Sequence, residues 1–280
     1  MKKDKVCIDI GGTKTIFAVL NKNLKVKISE KYPTPKERSQ FIKTFETNLR
    51  KFRTFSSTAN VSIAGRVDKD GKVILCPHLP IIDLNIKKLI EKHFKKVCID
   101  NDANCFAIYE ILRGALRKVK DGVIIVWGTG IGGSIVINKK IYGGKGLASE
   151  IGHMKNLLGP KEDADSIIGG GGLKKTSSYS GLELNNMAKA GDLYAIETFL
   201  KIGGIFGRFL SSIAYMLDPE IIIIGGSFVN SWKFMKDAVN EVIKKETVRG
   251  KLKIKTVRGN FYAIKSCYFL DEYENLNNKL

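Results

Sequence analysis

The chain has 280 residues, of which 44% are hydrophobic and 27% charged, values that exclude the disordered and fibrous classes of protein. Its net charge of +19 is spread along the chain without interleaved aromatic residues, which favours a solvated basic surface over a nucleic-acid site. Such a surface would also attract an anionic substrate. Because no secretory leader precedes the first apolar segment and no apolar run approaches ~18 residues, we expect a cytoplasmic protein without a membrane span.

The first hundred residues predict the element order β-β-β-α-β-α-β. The glycines at 11 and 12 and the polar residues 21–23 divide the start of the chain into a three-strand meander. Apolar positions at helical spacing predict covering helices, and short apolar runs predict buried strands. The predicted segments are strands from 5 to about 28, a helix over 36–55, a strand at 59–65, a turn at 68–71 with an extended piece after it, a helix over 84–94 and a strand at 96–100.

The same order then begins again. A second meander, with strands at 123–128, 134–138 and 139–142, surrounds the turn GTGIGG, and a helix over 202–217 precedes a buried strand at 220–226. Proline cannot continue a helix, so Asp218 and Pro219 end this one. The repeated topology predicts an α/β protein with two similar lobes and a central cleft.

The first lobe is predicted over residues 1–104 and the second over 105–280, with a last helix that could return to the first lobe. Residues 143–192 interrupt the repeat, being too rich in glycine for a plain helix and too long for an idle connection. We interpret them as a loop that carries part of a site.

Two glycine turns, DIGGTKT (9–15) and GTGIGG (128–133), suggest anion sites. Residues without Cβ let successive backbone N–H groups approach a phosphate, although either turn alone is also a plain hairpin signal. Asp9 stands just inside the first turn. A carboxylate beside a phosphate is repulsive unless Mg²⁺ lies between them, so the pair of turns with Asp9 predicts a site for a polyphosphate and Mg²⁺.

A third motif, CIDNDANCFAIYE (98–110), is a buried strand that ends in Asp100, Asn101 and Asp102. Ligands of open α/β sheets bind beyond the carboxyl ends of strands, where these side chains fall. One of them could simply cap the following helix, but three exceed what a cap requires. The buried strand IIIIGGS (221–227) also ends in glycines, where a flat base or ribose could lie against bare backbone.

Taken together, DIGGTKT, IDNDAN, GTGIGG, EIGHM and IIIIGG resemble the ROK family (repressor, open reading frame, kinase), sugar kinases of the actin and hexokinase superfold. The resemblance extends from residue 5 to about 265. It implies two duplicated ribonuclease H-like lobes that close over ATP and a hexose, in a protein expected to form a homodimer.

The resemblance also implies roles for individual residues. Asp102 would be the general base for the attacking sugar hydroxyl, and since an ordinary aspartate pKa is about 4, it would mainly orient that hydroxyl. Asp9 would hold Mg²⁺ through water. The implied ATP-binding residues are Gly11, Gly12, Thr13, Lys14, Thr129, Gly130, Gly132, Gly225 and Gly226. The implied sugar-binding residues are Gly65, His78, Asn101, Glu150, His153 and Asp165.

The chain departs from the family pattern at the zinc loop and at three single positions. Many members follow EIGHM with a cysteine-rich zinc loop, but the corresponding stretch here contains no cysteine, so this chain should lack that zinc. Asp165 stands where a sugar-binding glutamate is common, with Glu162 and Asp163 as nearby alternatives. His78 and Arg66 replace a common asparagine and proline, which a different sugar, a looser site or loss of activity would each explain.

Two hypotheses follow from these motifs. The first is a glucokinase-like, ATP-dependent kinase that phosphorylates the 6-hydroxyl of glucose or a related sugar, with fructose or an N-acetylhexosamine as alternatives. The second is a non-catalytic sugar sensor of the same family. A DNA-binding repressor is disfavoured because only eight residues precede Asp9.

Overall fold

The computed structural model of the chain describes residues 4–155, 162–259 and 262–277. The chain divides into two compact units, each of which contains one five-stranded sheet. The first unit comprises Met1–Arg117, Gly144–Leu147 and Asn260–Leu280, and the second comprises Lys118–Gly143 and Ala148–Gly259.

The sheet of the first unit has the strand order β3-β2-β1-β4-β7, in which β1 is antiparallel to β2 and parallel to β4. Four buried phenylalanines, Phe17 on β2 and three on α1, fill the space between that helix and the sheet. The elements are β1 (Lys5–Ile10), β2 (Lys14–Leu20), β3 (Val26–Pro33), α1 (Arg38–Phe52), β4 (Thr58–Ile63), β5 (Arg66–Val67), β6 (Val73–Leu75), α2 (Ile86–Glu91), β7 (Lys96–Asn101) and α3 (Asp102–Leu112).

The second unit repeats this plan, with the strand order β10-β9-β8-β11-β12 and the same mixture of antiparallel and parallel pairs. Trp127 at the end of β8 stacks on Phe206 and Phe228 in its core. The elements are β8 (Gly122–Trp127), β9 (Ile131–Ile137), β10 (Lys140–Ile141), α4 (Ala164–Ile168), α5 (Gly170–Ser177), α6 (Gly181–Lys189), α7 (Leu193–Leu217), β11 (Ile221–Gly225), α8 (Trp232–Glu246) and β12 (Ile254–Thr256). The two matching sheets confirm the predicted duplicated α/β fold.

The end of the chain packs on the first unit through α9 (Tyr262–Ser266) and α10 (Leu270–Asn277). Lys5 Nζ on β1 donates to the carbonyl of Tyr268 at 3.1 Å and to Asp271 Oδ1 at 2.5 Å. Asn60 Nδ2 on the neighbouring β4 donates to the same two oxygens at 2.8 and 3.0 Å. Two strands of the first sheet, β1 and β4, are therefore bonded to the C-terminal segment that carries Tyr268 and Asp271.

The division between the units falls after Arg117 and not after residue 104. The reason is that α3 packs against β7 and β4 of the first sheet and against the C-terminal helices.

The interpretation of residues 143–192 as a loop is wrong for much of its length, because α4, α5 and α6 lie within it. Glycine disfavours helices by ~1 kcal/mol per residue, but packing overrides that preference here. A Cβ on Gly172 of α5 would stand 2.0 Å from the carbonyl oxygen of Ser166 on α4, so these two short helices pack at a distance that only glycine permits.

The sequence predicts no apolar run of membrane-spanning length, yet α7 has the length and composition of such a span. It is the one helix among the described residues that passes this test. Its buried side, which includes Phe199, Phe206 and Phe209, lies in the core of the second unit, while Glu197 and Arg208 interrupt its apolar character. Core helices of globular proteins have the same properties, so α7 gives weak evidence of a membrane span.

Candidate functional site

In the first unit, DIGGTKT forms the hairpin turn between β1 and β2. Gly11 N–H donates to the carbonyl of Lys14 at 3.0 Å, and Thr34 Oγ1 and Lys36 Nζ donate to the carbonyls of Gly11 and Gly12 at 2.6 and 2.7 Å. A Cβ on Gly12 would lie 2.6 Å from the Cβ of His78, so the turn needs glycine there. His78, predicted to bind the sugar, thus lies beside this turn.

Asp9 lies at the end of β1, directly opposite Ser62 of β4. Ser62 Oγ donates to its Oδ1 at 3.0 Å. Burial, and secondly the negative charge of Asp102, raise the pKa of Asp9 to about 7. Two carboxylates that repel each other are a suitable site for a cation. Mg²⁺ fits such a site, because proteins usually bind it through one or two carboxylates and several waters.

Asn101 is the N-cap of α3. Its Oδ1 accepts from the N–H groups of Ala103 and Asn104, and its Nδ2 donates to the carbonyl of Gly65 at 3.0 Å. The capping alternative therefore applies to Asn101, whose side-chain amide makes hydrogen bonds to groups within the protein. Asp102 follows as the first residue of α3 and is partly exposed, which suits a residue that meets a ligand.

Gly65 and Arg66 lie beside this strand end. A Cβ on Gly65 would stand 2.5 Å from the carbonyl of Leu75, so glycine allows β6 to approach. The Arg66 side chain is buried, and its charge acts on Asp100, which accepts bonds from Asn101 N–H and Asn104 Nδ2. Burial nevertheless raises the pKa of Asp100.

In the second unit, GTGIGG is a tight turn that leads into β9. Gly128 N–H donates to the carbonyl of Gly130 at 2.9 Å, and the first two N–H groups of α5 donate to the carbonyls of Gly128 and Thr129. Asp165 accepts from Ile131 N–H at 2.5 Å, and a Cβ on Gly130 would collide with this carboxylate. Asp165, predicted to bind the sugar, thus holds the glycine turn. Gly132 lies within β9, opposite Val126.

EIGHM forms a short 3-10 turn, Ile151–His153, that is pressed against β9. A Cβ on Gly152 would stand 2.1 Å from the carbonyl of Ile131, so only glycine fits this contact. Beyond the turn, His153 Nδ1 lies 3.4 Å from Oδ2 of Asp163, one of the alternatives considered for the sugar contact. Lys155 Nζ donates to the same oxygen at 2.7 Å.

A cavity of about 300 Å³ opens beside the GTGIGG turn. Phe228, whose ring stacks on Trp127, forms part of its wall, and Ser231 Oγ donates to Oδ1 of the buried Asn185 at 3.1 Å. The cavity is lined by Gly128, Thr129, Gly170, Gly171, Lys174, Ser180, Gly181, Leu182, Asn185, Ser227, Phe228, Asn230 and Ser231. Its size and its bare backbone suit the adenosine part of a nucleotide.

Among the residues of this unit predicted to bind ATP, Thr129 lines the cavity, and Gly225 and Gly226 directly precede its wall at Ser227. Gly226 has φ 95°, and a Cβ there would stand 2.2 Å from the carbonyl of Trp127. The contributions of α5 and α6 are not predicted from the sequence. The available signal is the run of four glycines at 169–172, which by propensity indicates a loop.

The stretch that corresponds to the family's zinc loop includes residues 156–161, which lie outside the described residues. Within the described part of the chain, no group of three or more histidine, cysteine, aspartate or glutamate side chains could hold a metal ion. All five cysteines are buried free thiols.

Comparison with known proteins agrees with these motifs. The model of the ROK family matches residues 5–260. The N-acetyl-D-glucosamine kinase of Mannheimia succiniciproducens is 27% identical over 276 residues, which cover 86% of this chain and 89% of that protein.

Two solved structures share the fold. A ROK family glucokinase from Streptomyces griseus, in complex with glucose and AMPPNP, has a TM-score of 0.78 and 21% identity and covers 96% of this chain and 98% of its own. A ROK family transcriptional regulator, a homologue of the E. coli MLC protein, has a TM-score of 0.84 and 18% identity. That match covers 98% of this chain and 78% of the regulator. These matches confirm the predicted superfold, and since it serves both an enzyme and a regulator, the fold alone does not decide the function.

Proposed function

Since the chain belongs to the ROK family, we propose that it is a sugar kinase that transfers the γ-phosphoryl group of ATP to the 6-hydroxyl of a hexose. The observation that carries the proposal is the pair of acids Asp9 and Asp102. Keeping a carboxylate whose pKa is raised to about 7 beside a second one costs stability, and a protein that only binds a sugar gains nothing from it. A phosphoryl-transfer enzyme does gain from the two acids, because the reaction needs Mg²⁺ and an oriented hydroxyl.

In this proposal Asp102 orients the attacking hydroxyl and accepts its proton. Asp9 holds Mg²⁺ through water, and the ion when bound neutralises charge on the phosphates. Asn101 caps α3, the helix that begins with Asp102. Glu150, His153 and the Gly65 backbone supply sugar contacts.

We assign the cavity of the second unit to the adenosine of ATP. The turn at Thr129 and Gly130, with Gly132 of β9, binds phosphates. Gly225 and Gly226 lie behind the adenosine, and Asp165 supports the turn in place of a sugar contact. In the first unit, phosphate binding falls to Gly11, Gly12, Thr13 and Lys14, with His78 packed against them.

For the acceptor we favour an N-acetylhexosamine over glucose, because a kinase of N-acetyl-D-glucosamine is 27% identical to the chain over most of its length. Glucose and fructose remain the comparison substrates. We also propose a cytoplasmic location, where ATP is supplied, and a homodimer, as the resemblance to the family implies.

The decisive experiment measures ADP release by the purified protein with ATP, Mg²⁺ and each of glucose, fructose, mannose and the N-acetylhexosamines. We expect turnover with one of them and a loss of at least ~100-fold in Asp102→Asn. Sugar binding by Asp102→Asn, measured by calorimetry, should persist. No turnover with any sugar, or full turnover by this variant, would overturn the proposal.

The alternative is a non-catalytic sugar sensor, since a ROK transcriptional regulator shares this fold. It predicts sugar binding that ATP and Mg²⁺ leave unchanged. The same calorimetric titration, run with and without ATP and Mg²⁺, separates the two functions.

A further inference from the structure

The carboxylate of Asp163 is held in place beside the ring of His153. Its side chain is only 9% exposed, and its Oδ1 accepts from Ser166 N–H at 2.8 Å as the N-cap of α4. Its Oδ2 receives Lys155 Nζ at 2.7 Å and lies 3.4 Å from His153 Nδ1. A backbone bridge between Lys155 and Asp163 holds the two segments together.

The carboxylate of Asp163 stays ionised. Burial by itself raises its pKa, but the bonds from Lys155 and from Ser166, with a smaller contribution from His153, hold it below the usual range. An ionised carboxylate can only accept hydrogen bonds. The atom that faces it on the imidazole, Nδ1, therefore forms a hydrogen bond with it only when Nδ1 carries a proton.

The protonation of one ring nitrogen decides what the other can do. When Nδ1 of a neutral imidazole carries the proton, Nε2 has a free lone pair and accepts. About half of the His153 side chain is exposed, at 48%, so the ring remains accessible to a ligand. A sugar hydroxyl is a suitable donor to such a nitrogen.

We propose that Asp163 is the positioning residue that holds His153 in the tautomer with Nδ1 protonated, so that His153 Nε2 accepts a hydrogen bond from a sugar hydroxyl. Lys155 holds the Asp163 carboxylate in place. The role in sugar binding rests on the proposed kinase function, but the tautomer of His153 does not.

The tautomer can be read directly from the ring ¹⁵N chemical shifts of histidine. The chain has three histidines, and His153→Gln assigns the signal by its loss. Asp163→Ser is the informative variant, because serine still caps α4 and is too short to reach the imidazole. We expect the Nδ1–H tautomer in the unmodified protein and a shift toward Nε2–H in Asp163→Ser.

The matched control is Glu162→Gln, which removes the charge of the exposed neighbouring carboxylate and should leave the tautomer unchanged. An unfolding curve for each variant shows that the fold is kept. An Nε2–H signal in the unmodified protein, or the same tautomer in Asp163→Ser, would refute the positioning role whatever the protein phosphorylates.

Kinetics then test the sugar contact. We expect Asp163→Ser to raise the KM for the sugar ~3- to 10-fold, as the loss of one oriented hydrogen bond would, with the KM for ATP unchanged and kcat within ~2-fold. The double variant His153→Gln with Asp163→Ser should be no worse than His153→Gln alone, because Asp163 acts through His153. Additive effects would contradict the inference. If no sugar were turned over, the kinase proposal would fail while the tautomer measurement still decided the role of Asp163.

Discussion

Ser62 Oγ and Asp9 Oδ1 lie 3.0 Å apart on adjacent parallel strands, and the hydroxyl donates to a partly buried carboxylate. That single bond lowers the pKa of Asp9, but burial and the charge of Asp102 outweigh it and raise the pKa to about 7. The first unit therefore carries an acid that is poorly stabilised until a cation reaches it.

The pH dependence of stability should reveal this acid. A folded-state pKa raised from 3.8 to about 7 means that the folded protein binds more protons than the unfolded chain between these values. The contribution of Asp9 to stability is thus present below about pH 4 and is lost as the pH rises through about 7. The full shift corresponds to at most ~4 kcal/mol, and water at the partly exposed carboxylate lowers this figure.

We accordingly expect Asp9→Asn to gain stability relative to the unmodified protein as the pH rises from 4 to 8, while losing kinase activity. Urea unfolding at several pH values in EDTA measures the difference, and Mg²⁺ should narrow it at pH 8. Asp70→Asn, at an exposed turn, is the control and should follow the unmodified protein. A pH-independent difference for Asp9→Asn would contradict the raised pKa.

The capping role of Asn101 predicts a loss of stability on substitution. Asn101→Ala removes the N-cap oxygen of α3 and leaves the Gly65 carbonyl without its Nδ2 donor, and we expect it to cost ~1–3 kcal/mol in urea unfolding. Asn101→Ser keeps a capping oxygen and should cost ~1 kcal/mol less. Equal losses in the two variants would show that the cap contributes little.

The glycine turns and the capping position show what could be predicted from sequence. Alternating apolar runs broken by glycines predicted both hairpins, since strand and turn signals are local. Asn101 could be named as a candidate cap for the same reason. Its bond to Gly65, 36 residues away, could not be anticipated, because it depends on how β4 and β7 pair.

The helix α5 shows where local signals fail. Its glycines argue against a helix by propensity, and the close approach of Gly172 to Ser166 that reverses this argument exists only after folding. The role of Asp165 also depends on how α4 and α5 pack. Its carboxylate could be assigned to a sugar or to the GTGIGG turn only once α4 was located against β9.

The same helix offers a matched pair of substitutions. Gly172→Ala would place a Cβ 2.0 Å from a carbonyl oxygen, and we expect a severe loss of stability, ~2 kcal/mol or more. At Gly171 the nearest atom would be 3.6 Å away, so Gly171→Ala should be neutral or stabilising by up to ~1 kcal/mol. Thermal or urea unfolding of both variants tests this, and similar effects would contradict the packing argument.

The assignment of the cavity to ATP predicts a selective kinetic defect. Asn185 lines the cavity and is held by Ser231, so Asn185→Ala should raise the KM for ATP ~3- to 10-fold by removing a polar contact, with little change in the KM for the sugar. Asn186→Ala, at the exposed next position of α6, is the control. An unchanged KM for ATP, or an equal defect for both substrates, would place the nucleotide elsewhere.

The bonds from Lys5 and Asn60 to Tyr268 and Asp271 have a consequence for synthesis on the ribosome. The first unit is begun first, but residues 262–277 pack on its sheet, whereas the second unit ends at residue 259. We therefore expect nascent chains that expose residues up to 259 outside the ribosome to protect the second unit from protease while the first is still digested. The order in which the units mature would then be the reverse of the order in which they are made.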